Sequence, residues 1–251
     1  MTSTRMTQFV RKQFDCIANA YDEHAVVYKE VATRLVEKLD FIKLLPNRMV
    51  DLGAGTGYVM NELTKRFPEV MGVSVDLSYD MLKQGGKRDR VQADSLFLPF
   101  LDASVELVMS NLMLPWCENV EGLFKEVRRI LKPGGLFLFS TFGPDTFQEW
   151  GKTPFPDMHD VGDRLLQTAF ADPVMDVEKI SVYYASLDSM RADLNKTASS
   201  IILTESGLPC QQSGKYPLTF EVVYGHAWKH EWENNFSEEG EIYFPLSQLK
   251  R

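Results

Sequence analysis

Val50-Asp51-Leu52-Gly53-Ala54-Gly55-Thr56-Gly57 is the stretch on which the reading of the whole chain turns. It closes a short apolar strand, 48–52, with an acid inside the strand and three glycines in the turn that follows. Glycines after a strand let the backbone turn tightly and approach a ligand closely. The helix expected next, 58–67, offers free N–H groups at its start. Turns that hold a dinucleotide pyrophosphate are spaced G-x-G-x-x-G. Here the spacing is G-x-G-x-G, one residue shorter, and Asp51 would sit badly beside a pyrophosphate. An acid at that point suits a cationic amino-acid group. Taken alone, the turn can also be read as a tight structural corner.

Working outward, strands and helices alternate. Residues 7–24 and 25–42 read as two helices, the second with Val27, Val31, Leu35, Leu39 and Ile42 at helical spacing. Pro46 breaks that pattern. Downstream, a strand over 70–75 ends at Asp76, a helix over 78–86 stops at Gly85-Gly86, and a third strand over 89–93 ends at Asp94. The fourth strand, 105–110, is almost wholly apolar, as strands covered on both faces of a parallel sheet must be. An amphipathic helix over 119–131 and the break Pro133-Gly134-Gly135 lead to a fifth strand, 136–139. This alternation predicts a Rossmann-like, doubly wound α/β fold with a mostly parallel, seven-stranded sheet and an N-terminal helical cap. Past residue 143 the spacing predicts a helix over 160–171, a strand over 175–184, a helix over 187–197 and a last strand over 218–228, then a polar tail, 230–251, partly disordered. One domain is expected: cap 1–45, core 46–143, an acceptor-side insert with the last strands 144–229, and the tail.

Composition narrows the function. The 251 residues are 44% hydrophobic, enough for one sizeable core, and the net charge of −8 argues against a nucleic-acid binder. Cys16, Cys117 and Cys210 are scattered and odd in number, so no disulfide framework or zinc set is expected. No run is long enough to cross a membrane and the start lacks a secretory pattern, so the expected location is cytoplasmic.

The acids at the strand ends sharpen the reading. Asp76 lies nineteen residues after Gly57, where a carboxylate can accept both hydroxyls of a ribose. Asp94, in Ala93-Asp94-Ser95, can accept from an adenine amino group. Each aspartate alone could be a helix cap. Together with the glycines, all sit at the edge of an open sheet where ligands bind.

At this point the sequence resembles a known superfamily. VDLGAGTG, the acid of VDLS, QADSLFLPF and EVRRILKPGGLFLFST, spread over 48–143, are similar to the motifs of class I S-adenosylmethionine (SAM)-dependent methyltransferases. The resemblance implies a SAM site made by Asp51, Gly53, Ala54, Gly55, Gly57, Asp76, Leu77, Ala93, Asp94 and Ser95, with Ser110 and Asn111 near the sulfonium. The flanking segments FDCIANAYDEHAVVYKEVATRLVEKL, SNLMLPWCEN, STFGPDTFQE, FPDMHDVGDRLLQTAFADPVMDVEKI and PLTFEVVYGHAW extend it over roughly 10–230. They resemble the malonyl-acyl-carrier-protein O-methyltransferases of biotin synthesis. That family methylates the free carboxylate of a malonyl thioester on acyl carrier protein, which implies malonyl-acyl carrier protein, or malonyl-coenzyme A, as partner.

Two segments depart from the family pattern. Between Glu149 and Phe155 the chain reads Trp-Gly-Lys-Thr-Pro, where many relatives have a longer insert ending in Asn-Arg-Phe. Residues 189–213 lack a Gly-Ala-His/Arg-Asn stretch. Both fall where acceptor specificity would be built.

Tyr21, Asn111 and Trp116 are the candidate catalytic residues. Tyr21 belongs to the cap that the resemblance places over the pocket, and its phenol can orient a carboxylate. Trp116 can shelter a sulfonium by cation–π contact. Both could equally be packing aromatics. Lys152 is the candidate cation for the acceptor carboxylate. Lys83, Lys87, Arg88 and Arg90 read as a solvated helix end, and His226 and His230 as surface histidines. Arg5, Arg11, Lys12, Lys132, Lys215 and Lys229 are candidates for docking an acidic carrier. The alternatives are a methyltransferase of a small acid or quinone precursor, and a SAM-binding protein without catalysis.

Overall fold

The computed structural model describes residues 5–86, 89–203 and 209–230. Lys87, Arg88 and the expected tail past His230 lie outside these described residues. Seven strands form one sheet: β1 (Arg48–Leu52), β2 (Met71–Asp76), β3 (Arg90–Gln92), β4 (Val105–Asn111), β5 (Leu131–Phe142), β6 (Phe170–Tyr184) and β7 (Tyr216–Lys229). Their order is β3-β2-β1-β4-β5-β7-β6. β1 to β5 run parallel, and β7 runs antiparallel between β5 and β6. From β1 the chain winds outward to β3, then returns to the other side of β1 for β4 and β5. At that reversal the crossover connections part, opening a crevice at the carboxyl ends of β1 and β4.

The sheet is apolar on both faces because alternate residues of each strand enter different cores. Leu136 and Leu138 of β5 join Met49, Leu107 and Met109 on one face. Phe137 and Phe139 join Val50, Leu52 and Val108 on the other. The first face is covered by α3 (Val26–Glu37) and α4 (Tyr58–Arg66), and the second by α6 (Val120–Ile130) and α7 (Met158–Gln167). Helix α6 forms because Leu123, Phe124, Val127 and Ile130 share one stripe, each 0% exposed, while Asn119 Oδ1 caps its start by accepting from Gly122 N–H at 2.8 Å.

Three expectations are corrected. The first cap helix is not continuous over 7–24: α1 (Arg5–Ile17) ends in a turn closed by Ala20 N–H to Ile17 carbonyl, and a single helical turn, α2 (Tyr21–His24), follows. The bend lets Phe14 and Tyr21 face the same crevice. Strand β5 starts at Leu131, not after Pro133-Gly134-Gly135. The proline and glycines sit in a bulge where the register with β4 slips between Val105 and Leu107, so they bend the strand and do not precede it. Strands β6 and β7 run past their expected ends because thirteen register pairs hold them together, Pro173 being absorbed in a second bulge. Between them, α8 (Leu187–Lys196) turns back to the cap, where His24 Nδ1 meets Asp193 Oδ1 at 2.6 Å and the Tyr28 hydroxyl meets Ser199 Oγ at 2.6 Å.

Phe124 is fully buried among the rings of Phe137, Phe139 and Phe170. Phe124→Ala is expected to cost about 3–5 kcal/mol of stability, measured by urea denaturation as a lower midpoint with an unchanged slope.

Candidate active site

The glycine turn folds back over the end of β2. Gly53 N–H and Ala54 N–H both donate to the Val75 carbonyl, at 2.8 and 3.0 Å. Gly53 has φ +73°, and a Cβ there would lie 2.6 Å from Met113 Cβ. Only glycine meets both conditions. Asp76 then clamps the turn: Oδ2 accepts from Gly55 N–H at 2.8 Å and Oδ1 from Ser78 N–H at 2.8 Å. Burial pushes its pKa up to about 6, held back by those two N–H donors.

Asp51 lies one layer deeper, 1% exposed. Its Oδ2 accepts from Met60 N–H at 3.2 Å, in the first turn of α4, so it does part of a helix cap's work. Its Oδ1 is buried with no partner among the described residues, and burial pushes the pKa up to about 7. An orphaned carboxylate oxygen beneath a glycine turn is the local signature of a site for a cation.

In front of the turn and Asp76 lies a cavity of about 440 Å³, and Asp51, behind the turn, lines neither it nor the smaller cavity beside it. Gly53, Gly55, Asp76 and Leu77 form one wall, and Ala93, Asp94 and Ser95 another. Asp94 Oδ1 accepts from Leu96 N–H at 3.0 Å, which shapes the turn after β3. The roof is aromatic. Phe14, Tyr21 and Trp116 all face the cavity, Phe14 standing edge-on to Trp116 with centroids 5.1 Å apart. Burial, then the nearby Tyr28, Asp76 and Asp22, holds the Tyr21 phenol well above its ordinary range, so it stays a proton donor.

The remaining predicted residues lie elsewhere. Ala54 and Asn111 line a smaller adjoining cavity of about 50 Å³. The Asn111 amide is engaged: Nδ2 donates to the Tyr28 carbonyl at 3.0 Å and Oδ1 accepts from Ser140 Oγ at 2.8 Å, tying cap to sheet. Gly57, with φ +82°, starts α4 and lines neither of these two cavities. Ser110 is fully buried, its hydroxyl without a partner among the described residues, and reaches neither cavity. Lys152 is exposed and also reaches neither. His226 is half-buried on β7, and burial with the nearby Lys38 lowers its pKa; it is not a surface histidine. Lys229 is 7% exposed and Lys132 pairs with Glu106, so neither is a free docking cation. Arg5, Arg11, Lys12 and Lys215 are exposed.

The walls also hold residues that the sequence reading did not single out: Val10 and Phe14 of α1, then Leu112, Met113 and Cys117 after β4. Val10, Phe14 and Tyr21 recur at helical spacing and could have been read as one face aimed at the pocket. Among the described residues, no group of histidine, cysteine or carboxylate side chains could hold a metal, and no helix is long and apolar enough to cross a membrane.

Comparison with known proteins agrees with this geometry. Residues 50–139 match the methyltransferase domain family. Solved structures with the same fold include a SAM-dependent methyltransferase from Archaeoglobus fulgidus, 18% identical with a TM-score of 0.53, matched over 80% of this chain and 94% of that one. Another is Haemonchus contortus phosphoethanolamine N-methyltransferase 2 in complex with SAM, 16% identical with a TM-score of 0.56, covering 79% of this chain and 52% of that one. The fold and site therefore define a class I methyltransferase. Within that class the chain belongs to the malonyl-acyl-carrier-protein O-methyltransferase family. It is 38% identical to malonyl-acyl-carrier-protein O-methyltransferase 1 of Coxiella burnetii, over 96% of this chain and 95% of the relative. It is 33% identical to the Legionella pneumophila malonyl-acyl-carrier-protein O-methyltransferase over 96% of both.

SAM fits these residues: Gly53 and Gly55 leave room for close backbone approach, Asp76 and Asp94 offer acceptors along one cavity, and Asp51, buried behind the turn, keeps one carboxylate oxygen that a cation would satisfy. Burial favours the neutral acid at Asp51, whereas a cationic group favours the carboxylate, so proton and ligand compete. The folded-state pKa is raised, so the competing proton is gained as pH falls through about 7. SAM affinity measured by calorimetry is expected to weaken below that pH, by up to about tenfold per unit. Asp51→Asn should bind weakly throughout and lose this dependence.

Proposed function

We propose that this chain transfers a methyl group from SAM to the free carboxylate of a malonyl thioester on acyl carrier protein, an early step of biotin synthesis carried out in the cytoplasm. The observation that carries the acceptor assignment is the reach of the similarity. It covers the cap and the segments after β5, not only the cofactor core.

SAM, when bound, supplies an electrophilic methyl on a sulfonium, whose C–S electron pair stays on sulfur as the new O–CH₃ bond forms. The chain's own residues do the rest. Asp76 holds ribose hydroxyls, Asp94 the adenine amino group, and Asp51 with the glycine turn the amino-acid end. A malonyl carboxylate is already ionised at neutral pH, so the site needs no general base. Its work is positioning and exclusion of water. The faces of Phe14, Tyr21 and Trp116 favour a cation and give it little water. The Tyr21 hydroxyl, kept protonated by its burial, donates to the incoming carboxylate and fixes which oxygen attacks. Arg5 and Lys12, exposed on the helix that lines the cavity, offer charge to an acidic carrier, whereas Arg11, also exposed, lies 3.6 Å from Asp15. Malonyl-coenzyme A shares the same thioester arm and is expected to react less well, because it lacks the carrier's acidic surface.

Purified protein, SAM and malonyl-acyl carrier protein are combined and the carrier is weighed by intact mass spectrometry. A gain of one methyl group is expected, lost in Asp76→Ala. SAM binding without any gain would move the acceptor to a small acid or quinone precursor.

A further inference from the structure

A second cavity, about 470 Å³, lies against the first and shares Cys117, Glu118 and Asn119 with it as a common wall. Its far side is built by Thr141 at the end of β5, by Pro154-Phe155-Pro156 and by Val161 and Arg164 of α7. It lies where the shortened 149–155 loop meets α7, on the acceptor side of the cofactor cavity. Its surface is mixed, with apolar ground at Leu114, Pro115 and Phe155.

Arg164 is the cation in that lining. It is partly buried, and its guanidinium has no hydrogen bond or ion pair among the described residues. Arg34 pairs with Glu30, Arg66 with Asp40 and Arg129 with Glu126, whereas Arg5, Arg48 and Arg191, which make no ion pair among the described residues, are exposed. In a chain with 35 acids against 27 bases, a partly buried arginine that faces a groove and meets no carboxylate is a binding group for an anion. Glu118 and Glu121 line the same groove but are exposed, and neither pairs with it.

We propose that this groove receives the phosphopantetheine arm of the acceptor and that Arg164 holds the arm's phosphate. This rests on the acceptor reading above and deepens it. The reacting carboxylate cannot be the anion that Arg164 meets. That carboxylate must enter the cavity of Asp76, Tyr21 and Trp116, which Arg164 does not line. A cation in the neighbouring groove would hold it away from the methyl. The anion at Arg164 is therefore remote from the reacting atoms, at the other end of a chain that crosses the shared wall. The arm provides this: thioester at one end, amides and aliphatic carbon between, and a phosphate whose oxygens a guanidinium can take two at a time.

The test compares wild type, Arg164→Gln and Arg164→Lys on malonyl-acyl carrier protein, malonyl-phosphopantetheine and malonyl-pantetheine, which lacks the phosphate. Circular dichroism and the Kd for SAM control for folding. Arg164→Gln should raise KM roughly tenfold to a hundredfold for the two phosphate-bearing acceptors, the loss of one charge-assisted bidentate contact. It should retain kcat and leave the KM for malonyl-pantetheine in place, and Arg164→Lys should recover part of the loss. An equal loss on malonyl-pantetheine, or a fall in kcat, would put the guanidinium at the carboxylate and overturn the proposal. Unchanged KM on every acceptor would overturn it too. If wild type binds SAM but methylates none of the three, the acceptor reading itself falls, and this assignment with it.

Discussion

The carboxylate of Asp76 is the constraint on which the working edge of the molecule depends. One oxygen fixes the glycine turn through Gly55 N–H, and the other fixes the start of α5 (Tyr79–Gln84) through Ser78 N–H. Ser78 in turn donates its hydroxyl to Asp15 of the cap at 2.5 Å. A single partly buried acid thus joins β1, β2, α5 and α1. Its position follows from the register of β1 and β2, which run parallel with Leu52 opposite Val75, so the turn and the acid emerge side by side. Desolvation would make such an acid costly, and the two N–H donors offset that cost.

The cap is held over the cavity by contacts of the same type. Thr56 of the glycine turn donates its hydroxyl to Asp22 Oδ1 at 2.8 Å, and Lys29 bonds the Asp22 carbonyl at 2.7 Å. Asn111 holds the Tyr28 carbonyl from the sheet, and Asp193 and Ser199 reach the cap from the insert. The aromatic roof therefore has its position set from three sides. Cofactor core, cap and insert meet at Tyr28, whose ring packs edge-on to Tyr21.

The core of this arrangement was legible because its signals are local. A strand, a glycine turn and an acid at the next strand end are set by short-range backbone geometry. What the sequence concealed was set by tertiary context. The bend after Ile17 has no proline to announce it; a turn closed by Ala20 N–H to the Ile17 carbonyl makes it, and Phe14 and Tyr21 end on one cavity. Ser110 and Asn111 were placed beside the sulfonium by their position at a strand end, but neither reaches the main cavity wall. Alternate strand residues point to opposite faces, and the chain turns toward the cavity only at Leu112, with φ +52°. His226 and Lys229 read as surface groups until the antiparallel pairing of β7 with β5 and β6 enclosed them. Arg164 gave no signal, since only the fold shows that a charged residue of an amphipathic helix faces a groove without a partner.

On the function proposed above, Asp76, the glycine turn and the aromatic roof together orient a methyl donor at the switch point of the sheet. A crystal structure with S-adenosylhomocysteine tests it most directly. The expected result is ribose hydroxyls on Asp76, the base beside Asp94, and the sulfur beneath Phe14, Tyr21 and Trp116. A ligand bound with its base under the aromatic roof, or outside this cavity, would contradict it.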